Sequence, residues 1–204
     1  MALLPFLLYV FVTAFTPGPN NIMAMLVANN YGFKKSFRFS LGVGAGFFII
    51  ILLCSYFGLL LKSFIPKVEF IMTILGVIYM LYLAMKIMTS KNEDNYNNSN
   101  KNNSFLTGML LQFINPKGIL YGITTISTFV LPYHTSNLSL LFYSFFLAFV
   151  AFLGTSSWGV FGSIFRKFLS KYNTQFNIAM AFLLLFSAIS ILLESEKIKL
   201  LIFN

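Results

Sequence analysis

Thr16-Pro17-Gly18-Pro19-Asn20-Asn21 interrupts an apolar run that otherwise extends from Leu3 to Val27. Proline lacks the N–H that a helix uses, and its ring crowds the carbonyl one turn back, so prolines at positions 17 and 19 oppose continuation of a helix. Gly18 between them frees the backbone further. Inside a bilayer, opened backbone is tolerated only where protein or a water-lined cavity re-satisfies its polar groups. Two readings follow from this stretch: a proline kink in a membrane helix that needs no ligand, or a broken helix that lines a substrate path.

The surrounding composition fixes the class. Of 204 residues, 58% are hydrophobic and 9% charged, with a mean hydropathy of +0.82. A soluble domain carries about a quarter of its residues as charged side chains. The chain is therefore read as an all-α integral membrane protein. At roughly 20 residues per span its length accommodates six transmembrane helices and leaves no room for a soluble catalytic domain. The formal charge of +9 comes from 14 basic and 5 acidic residues. The basic residues sit mainly in short loops, where they orient spans among membrane lipid, so no nucleic-acid partner is expected. Cys54 is the only cysteine, which excludes an intrachain disulfide and dithiol chemistry. Met1–Pro5 holds no Lys or Arg and no small-residue cleavage site follows, so the first span is expected to be retained.

The expected spans run over residues 3–27, 39–61, 70–88, 105–130, 138–161 and 176–193. Gly32 to Arg38 is read as a basic connection, and Arg166, Lys167 and Lys171 as a basic turn. Gly42 and Gly46 share one helical face and permit a neighbouring backbone to approach closely. Residues 90–104, rich in asparagine, read as a polar linker between a first three-helix repeat, 1–89, and a second repeat with its tail, 105–204. With the N-terminus outside, Lys34, Lys35, Arg38, Lys86, Lys91, Lys101, Arg166, Lys167 and Lys171 all fall inside, and the C-terminus is outside. Three spans per half require the repeats to be inverted. The first and fourth helices are each expected to break at prolines, Pro17 and Pro19 in one and Pro116 in the other, a pairing that points to a transporter site near the midplane.

Asn20 and Asn21 follow the first break, where a new half-helix directs free N–H groups at the gap, an arrangement that favours a carboxylate. The competing reading makes them caps at a kink. Lys117, in Asn115-Pro116-Lys117, is the charged residue deepest within an apolar span, and no acidic residue lies in a span to pair with it. Its partner is then a substrate carboxylate, the oxygens of Asn115 or cavity water; alternatively its stem snorkels to the inner face. No carboxylate relay, metal-ligand cluster, paired catalytic carboxylates or phosphate-cradling loop appears, so no cofactor, metal site or catalytic residue is expected, and the chain is not read as an enzyme. Coupling to a proton gradient would require Lys117 or His134 to titrate. A carrier and a passive channel for small polar solutes both fit these features.

Thr16 to Asn21, the Gly32-Phe33 turn with its basic residues, the glycine-rich opening of span two and Asn115-Pro116-Lys117 together resemble the LysE/RhtB family of amino-acid exporters, over essentially the whole chain. Asn20-Asn21-Ile22, Leu111 to Asn115, Ile119 to Gly122 and Ser127 to Pro132 are most similar to the family's exporters of cysteine and O-acetylserine. The resemblance implies a multi-pass protein of the bacterial cytoplasmic membrane that exports small neutral amino acids or derivatives, driven by an ion gradient, with a proton expected as coupling ion. It carries Pro17, Gly18, Pro19, Asn20, Asn21, Asn115, Pro116 and Lys117 onto this chain as substrate-binding residues. Assembly as a homo-oligomer is left open.

Overall fold

The computed structural model describes residues 3–57, 65–89 and 104–194, and among these residues the regular structure is helical throughout. Helices α1 (Leu3–Phe15) and α2 (Pro19–Tyr31) meet at a bend of 43° across the proline stretch. Then come α3 (Phe33–Phe57), α4 (Ile65–Thr89), α5 (Ser104–Ile114) and α6 (Pro116–Thr124). A π-helical turn over Thr125–Val130 follows α6 directly, and α7 (Asn137–Ile164), α8 (Arg166–Lys171) and α9 (Asn173–Glu194) complete the order. Within α3, α4, α7 and α9 lie the stretches Phe33–Phe57, Phe70–Thr89, Asn137–Ile164 and Asn173–Leu193, each long and apolar enough to cross a bilayer; the bent α1–α2 pair qualifies as a fifth. This is an all-α integral membrane fold.

Outward faces carry large apolar side chains at helical spacing. Phe182, Phe186 and Ile189 of α9 are each more than half exposed, as are Phe142 and Phe145 of α7. An apolar belt of this extent would be a liability in water and is a solvation surface in lipid. Because lipid is as apolar as leucine, the hydrophobic effect does not hold such helices together; close backbone approach and polar ties do.

The closest approach lies between α3 and α5. A Cβ on Gly46 would stand 2.7 Å from the Met109 carbonyl oxygen, and Cβ atoms on Gly42 and Gly108 would strike the backbone carbonyls of Phe105 and Phe39. The shared face of Gly42 and Gly46 thus has a defined occupant, the backbone of α5. On the other side of α3, α7 packs along it, and Gly159 of α7 lies against the Ser36 hydroxyl, which itself donates to the Ala24 carbonyl of α2 at 2.8 Å. Helices α4 and α9 pair with each other, around Met80, Leu83, Met180 and Leu184.

Several sequence expectations shift in detail. The stretch from Gly32 to Arg38 is not a loop: only Gly32, at φ 88°, interrupts the helices, and Lys34, Lys35 and Arg38 lie on the first turns of α3. Hydropathy marks where a helix leaves the membrane, and a helix continues past that point when its backbone bonds remain made. The basic turn after α7 is likewise a short helix, α8. The fourth span, expected to break at Pro116, is divided there into α5 and α6, and it carries in addition the π turn that the sequence did not suggest. The asparagine-rich segment lies outside the described residues except for Ser104, which opens α5.

Replacing Gly42 or Gly108 with leucine is expected to destabilise the fold by about 3 kcal/mol, read as loss of monodisperse protein in size-exclusion chromatography. Phe182→Leu on the lipid face is expected to leave the elution profile unchanged.

Candidate functional site

Where α1 ends, its last carbonyls have no helical donors and must find others. The Thr16 N–H closes on Val12 O at 3.0 Å, and the Thr16 hydroxyl donates to Thr13 O at 3.1 Å. The Asn21 amide nitrogen donates to Ala14 O and Thr16 O, both at 2.9 Å. Trp158 of α7 donates its indole N–H to Phe15 O at 3.0 Å. Lys117 of α6 supplies the charge: its ammonium lies 3.0 Å from Thr16 O, 2.9 Å from Thr16 Oγ1 and 2.8 Å from Pro17 O. The Ser187 hydroxyl of α9 also lies 2.9 Å from Pro17 O. A cation at a helix C-terminus faces the negative end of its dipole, which adds to these bonds.

The reach of Lys117 depends on Gly18. The backbone there is extended, and a Cβ on it would stand 2.8 Å from the lysine Cδ and 3.2 Å from Nζ. Gly18 is therefore a space requirement for the side chain lying over it. The structure gives Lys117 partners other than the Asn115 oxygens: the carbonyls of the first break, 100 residues earlier in the chain.

Beyond the break, α2 begins with Pro19 at its first position and α6 begins with Pro116 at its own; neither N-terminus has a side-chain cap. Proline suits that position because its absent N–H was an orphan in any case. Both N-termini border one cleft with about 400 Å³ of empty space, its mouth included. Gly18, Asn20, Asn21, Asn115 and Lys117 line it; Pro17, Pro19 and Pro116 do not. Pro17 contributes its carbonyl to Lys117, Pro19 is buried at the start of α2, and the Pro116 ring fills the space left by Gly76 of α4.

Within the cleft the asparagines differ. Asn21 is fully engaged, since its Oδ1 also accepts from Thr155 Oγ1 of α7 at 3.1 Å. Asn20 donates its side-chain amide to Gln112 Oε1 of α5. Asn115 is 5% exposed and its Oδ1 has no donor among the described residues; the Tyr121 hydroxyl, on a residue equally buried, also lacks a partner there. Tyr121 stacks on Phe47 with ring centroids 5.3 Å apart and planes 8° apart. Val43 and Phe47, one turn apart on α3, join the cleft wall to the two apolar cores of the protein.

Gln112, Tyr121, Thr155, Trp158 and Ser187 were not selected from sequence. Gln112 is an isolated amide in an apolar helix, and Thr155 and Trp158 lie in Thr155-Ser156-Ser157-Trp158, a polar interruption of a long apolar helix that contains the only tryptophan. Those were usable signals. Tyr121 and Ser187 carried none, since both types are common within membrane helices.

A family model described as a LysE type translocator matches residues 11–195. A cysteine/O-acetylserine efflux protein of Salmonella choleraesuis is 38% identical over 191 residues, covering 94% of this chain and 97% of that protein. The protein of the same name in Salmonella typhimurium gives the same values. One from Escherichia coli O1:K1 is 37% identical over 183 residues, 90% of this chain and 93% of its own. No solved structure matches the chain. With a matching family model over nearly its full length and relatives at this identity, the chain belongs to the LysE/RhtB family of membrane translocators.

Proposed function

We propose that this protein exports small neutral amino acids or their derivatives, cysteine and O-acetylserine among them, across the bacterial cytoplasmic membrane as an ion-coupled secondary transporter. The observation that carries this reading is the meeting of the two helix breaks at one cleft, with two uncapped helix N-termini bordering it and Lys117 of one break bound to the carbonyls of the other. Helix N-termini receive the carboxylate common to all amino acids. The relatives' names supply the substrates.

In this reading the substrate-binding set is Gly18, Asn20, Asn115 and Lys117 around the ligand. Pro17, Pro19, Asn21 and Pro116 act behind them: the prolines fix the two helix starts and Asn21 holds the first break. Six spans form two inverted three-helix repeats, α1–α2, α3 and α4 against α5–α6, α7 and α9. Part of the packing supports this assignment: α3 contacts α5 and α6 as α7 contacts α1 and α2, and α3–α7 and α4–α9 pair across the exchange, whereas the α2–α3 and α4–α6 contacts have no such counterpart. Domain limits at 1–89, 90–104 and 105–204 follow.

The basic end is assigned to the cytoplasm. Arg166 donates to Asn30 O at 3.0 Å and Lys35 lies 4.6 Å from the Tyr31 ring, so α8 and the α2–α3 junction share one face of the protein. The N- and C-termini are then outside. A proton is proposed as the coupling ion.

Counterflow in proteoliposomes loaded in turn with cysteine, O-acetylserine, threonine, homoserine and lysine is expected to show exchange of one or two small neutral amino acids. Unselective leakage of all five would establish a channel instead. Lys117→Met is expected to slow exchange by at least about tenfold, from the loss of charge-assisted bonds to the break, with monodisperse protein retained. Gly18→Val is expected to act on the same contact, so the double variant should be no slower than either single one; additive losses would separate the two residues. A cysteine introduced at Lys167 in a Cys54→Ser background should react with an impermeant maleimide in inside-out vesicles and resist it in intact cells. The opposite pattern would invert the topology.

A further inference from the structure

Resting on the reading of the cleft as the transport site, we propose that Asn115 and Tyr121 select substrates: Asn115 Oδ1 accepts from the substrate ammonium group, and the Tyr121 hydroxyl binds a heteroatom in the substrate side chain. The family resemblance places Asn115 among the substrate-binding residues without giving it a partner group, and neither it nor the relatives' names assign Tyr121 a role.

The argument begins with cost. A buried polar atom without a partner is destabilising, and native proteins leave few of them. Of the four such side-chain atoms among the described residues, two belong to residues that line this cleft, Asn115 Oδ1 and Tyr121 Oη. The other cleft amides show the contrast: Asn20 is bonded to Gln112, and Asn21 to Ala14, Thr16 and Thr155. The chain had the means to satisfy every cleft amide and left one acceptor and one hydroxyl open beside an uncapped helix N-terminus.

Chemistry divides the roles. Asn115 Oδ1 is an acceptor only, so its ligand must donate, and the ammonium group of an amino acid is the strong donor present in every substrate. The carboxylate goes to the free N–H groups of the helix starts, next to the Lys117 ammonium. Tyr121 Oη both donates and accepts, so it suits a hydroxyl, a thiol or, by donation, an ester carbonyl. The ring is held flat against Phe47, and Thr125 at the head of the π turn donates to the Tyr121 carbonyl at 2.6 Å, which fixes the residue's place in the wall. A π turn is often found beside a functional site. Because both open atoms are shielded from solvent, the ligand meets them as the two breaks separate, which alternating access requires.

A site that hydrogen-bonds a polar side chain rejects the analogue that lacks it, because the hydroxyl is then left unpaired. Wild-type protein in proteoliposomes is expected to exchange O-acetylserine at least about tenfold faster than norleucine, and cysteine faster than 2-aminobutyrate by a smaller margin, since a thiol is the weaker partner. Tyr121→Phe, which removes one oxygen and keeps the stacked ring, is expected to bring both ratios to within about threefold of unity, with folding checked by monodisperse elution in size-exclusion chromatography. Asn115→Leu is expected to depress exchange of all amino acids alike while leaving the ratios as in wild type. Ratios retained in Tyr121→Phe would overturn the assignment of Tyr121 and leave the exporter reading standing. Ratios near unity in the wild type would do the same. Absence of any amino-acid exchange by the wild type would overturn both.

Discussion

A helix opened within a bilayer must have its carbonyls re-satisfied by protein, and the rest of this structure is arranged around meeting that requirement at Thr16 and Pro17. The donors come from four different helices: Asn21 from α2, Lys117 from α6, Trp158 from α7 and Ser187 from α9. Local groups such as Asn21 meet only part of the requirement, because the prolines that open the helix also remove the nearest backbone donors. The break is therefore a tertiary object, and it pulls residues from the far half of the chain to one point. In a solvent that gives helices little hydrophobic reason to associate, these ties and the glycine-mediated backbone approach of α3 and α5 specify which helices are neighbours.

The two breaks are not equivalent. The first is saturated, down to both functional groups of Asn21. The second lends its lysine to the first and keeps an open acceptor of its own on Asn115. An ammonium group drawn across the cleft toward the negative end of α1 leaves the positive ends of α2 and α6 facing the same space. Charge is thereby placed where a zwitterion needs it, without a carboxylate anywhere in the cleft wall. In the proposed reading that absence has a physical merit for an exporter: a fixed carboxylate would hold the substrate ammonium tightly and slow release, whereas a neutral amide oxygen binds it more weakly and lets it go.

Much of this was legible in the sequence, and the exceptions share one cause. Apolar spans, the two proline interruptions and the small-residue face at Gly42 and Gly46 are local patterns, and each has a local structural counterpart. The partner of Lys117 is not local. No acidic residue lies within a span to pair with it, yet the charge is met chiefly by backbone carbonyls, which every residue carries and no sequence motif marks. Asn21 was read either as facing a ligand or as a cap at a kink, because an amide with two donors and an acceptor suits either task; the structure shows it bonded to the break and to Thr155. The helical course of Lys34 to Arg38 escaped because hydropathy reports the membrane boundary and not the end of a helix.

Alternating access adds a constraint on which of these contacts move. The α3–α5 interface is backbone against backbone, with no room for a methyl group, so its helices have to travel as one body. Gly159 of α7 is also tightly filled, though by the Ser36 side chain of α3 and not by its backbone. Relative motion is then left to contacts made by long side chains, and the one that spans both breaks is Lys117, whose flexible stem lies over Gly18 and whose head is held by three oxygens. A lysine in this position has alternative acceptors within reach once a carboxylate enters the cleft, since its three protons have no directional preference beyond an oxygen at hydrogen-bonding distance. In the proposed transport cycle, exchange of those acceptors between break and substrate loosens the tie between the two breaks only when substrate is present, so that binding and opening are linked through one side chain, to which the glycine opposite leaves room to turn.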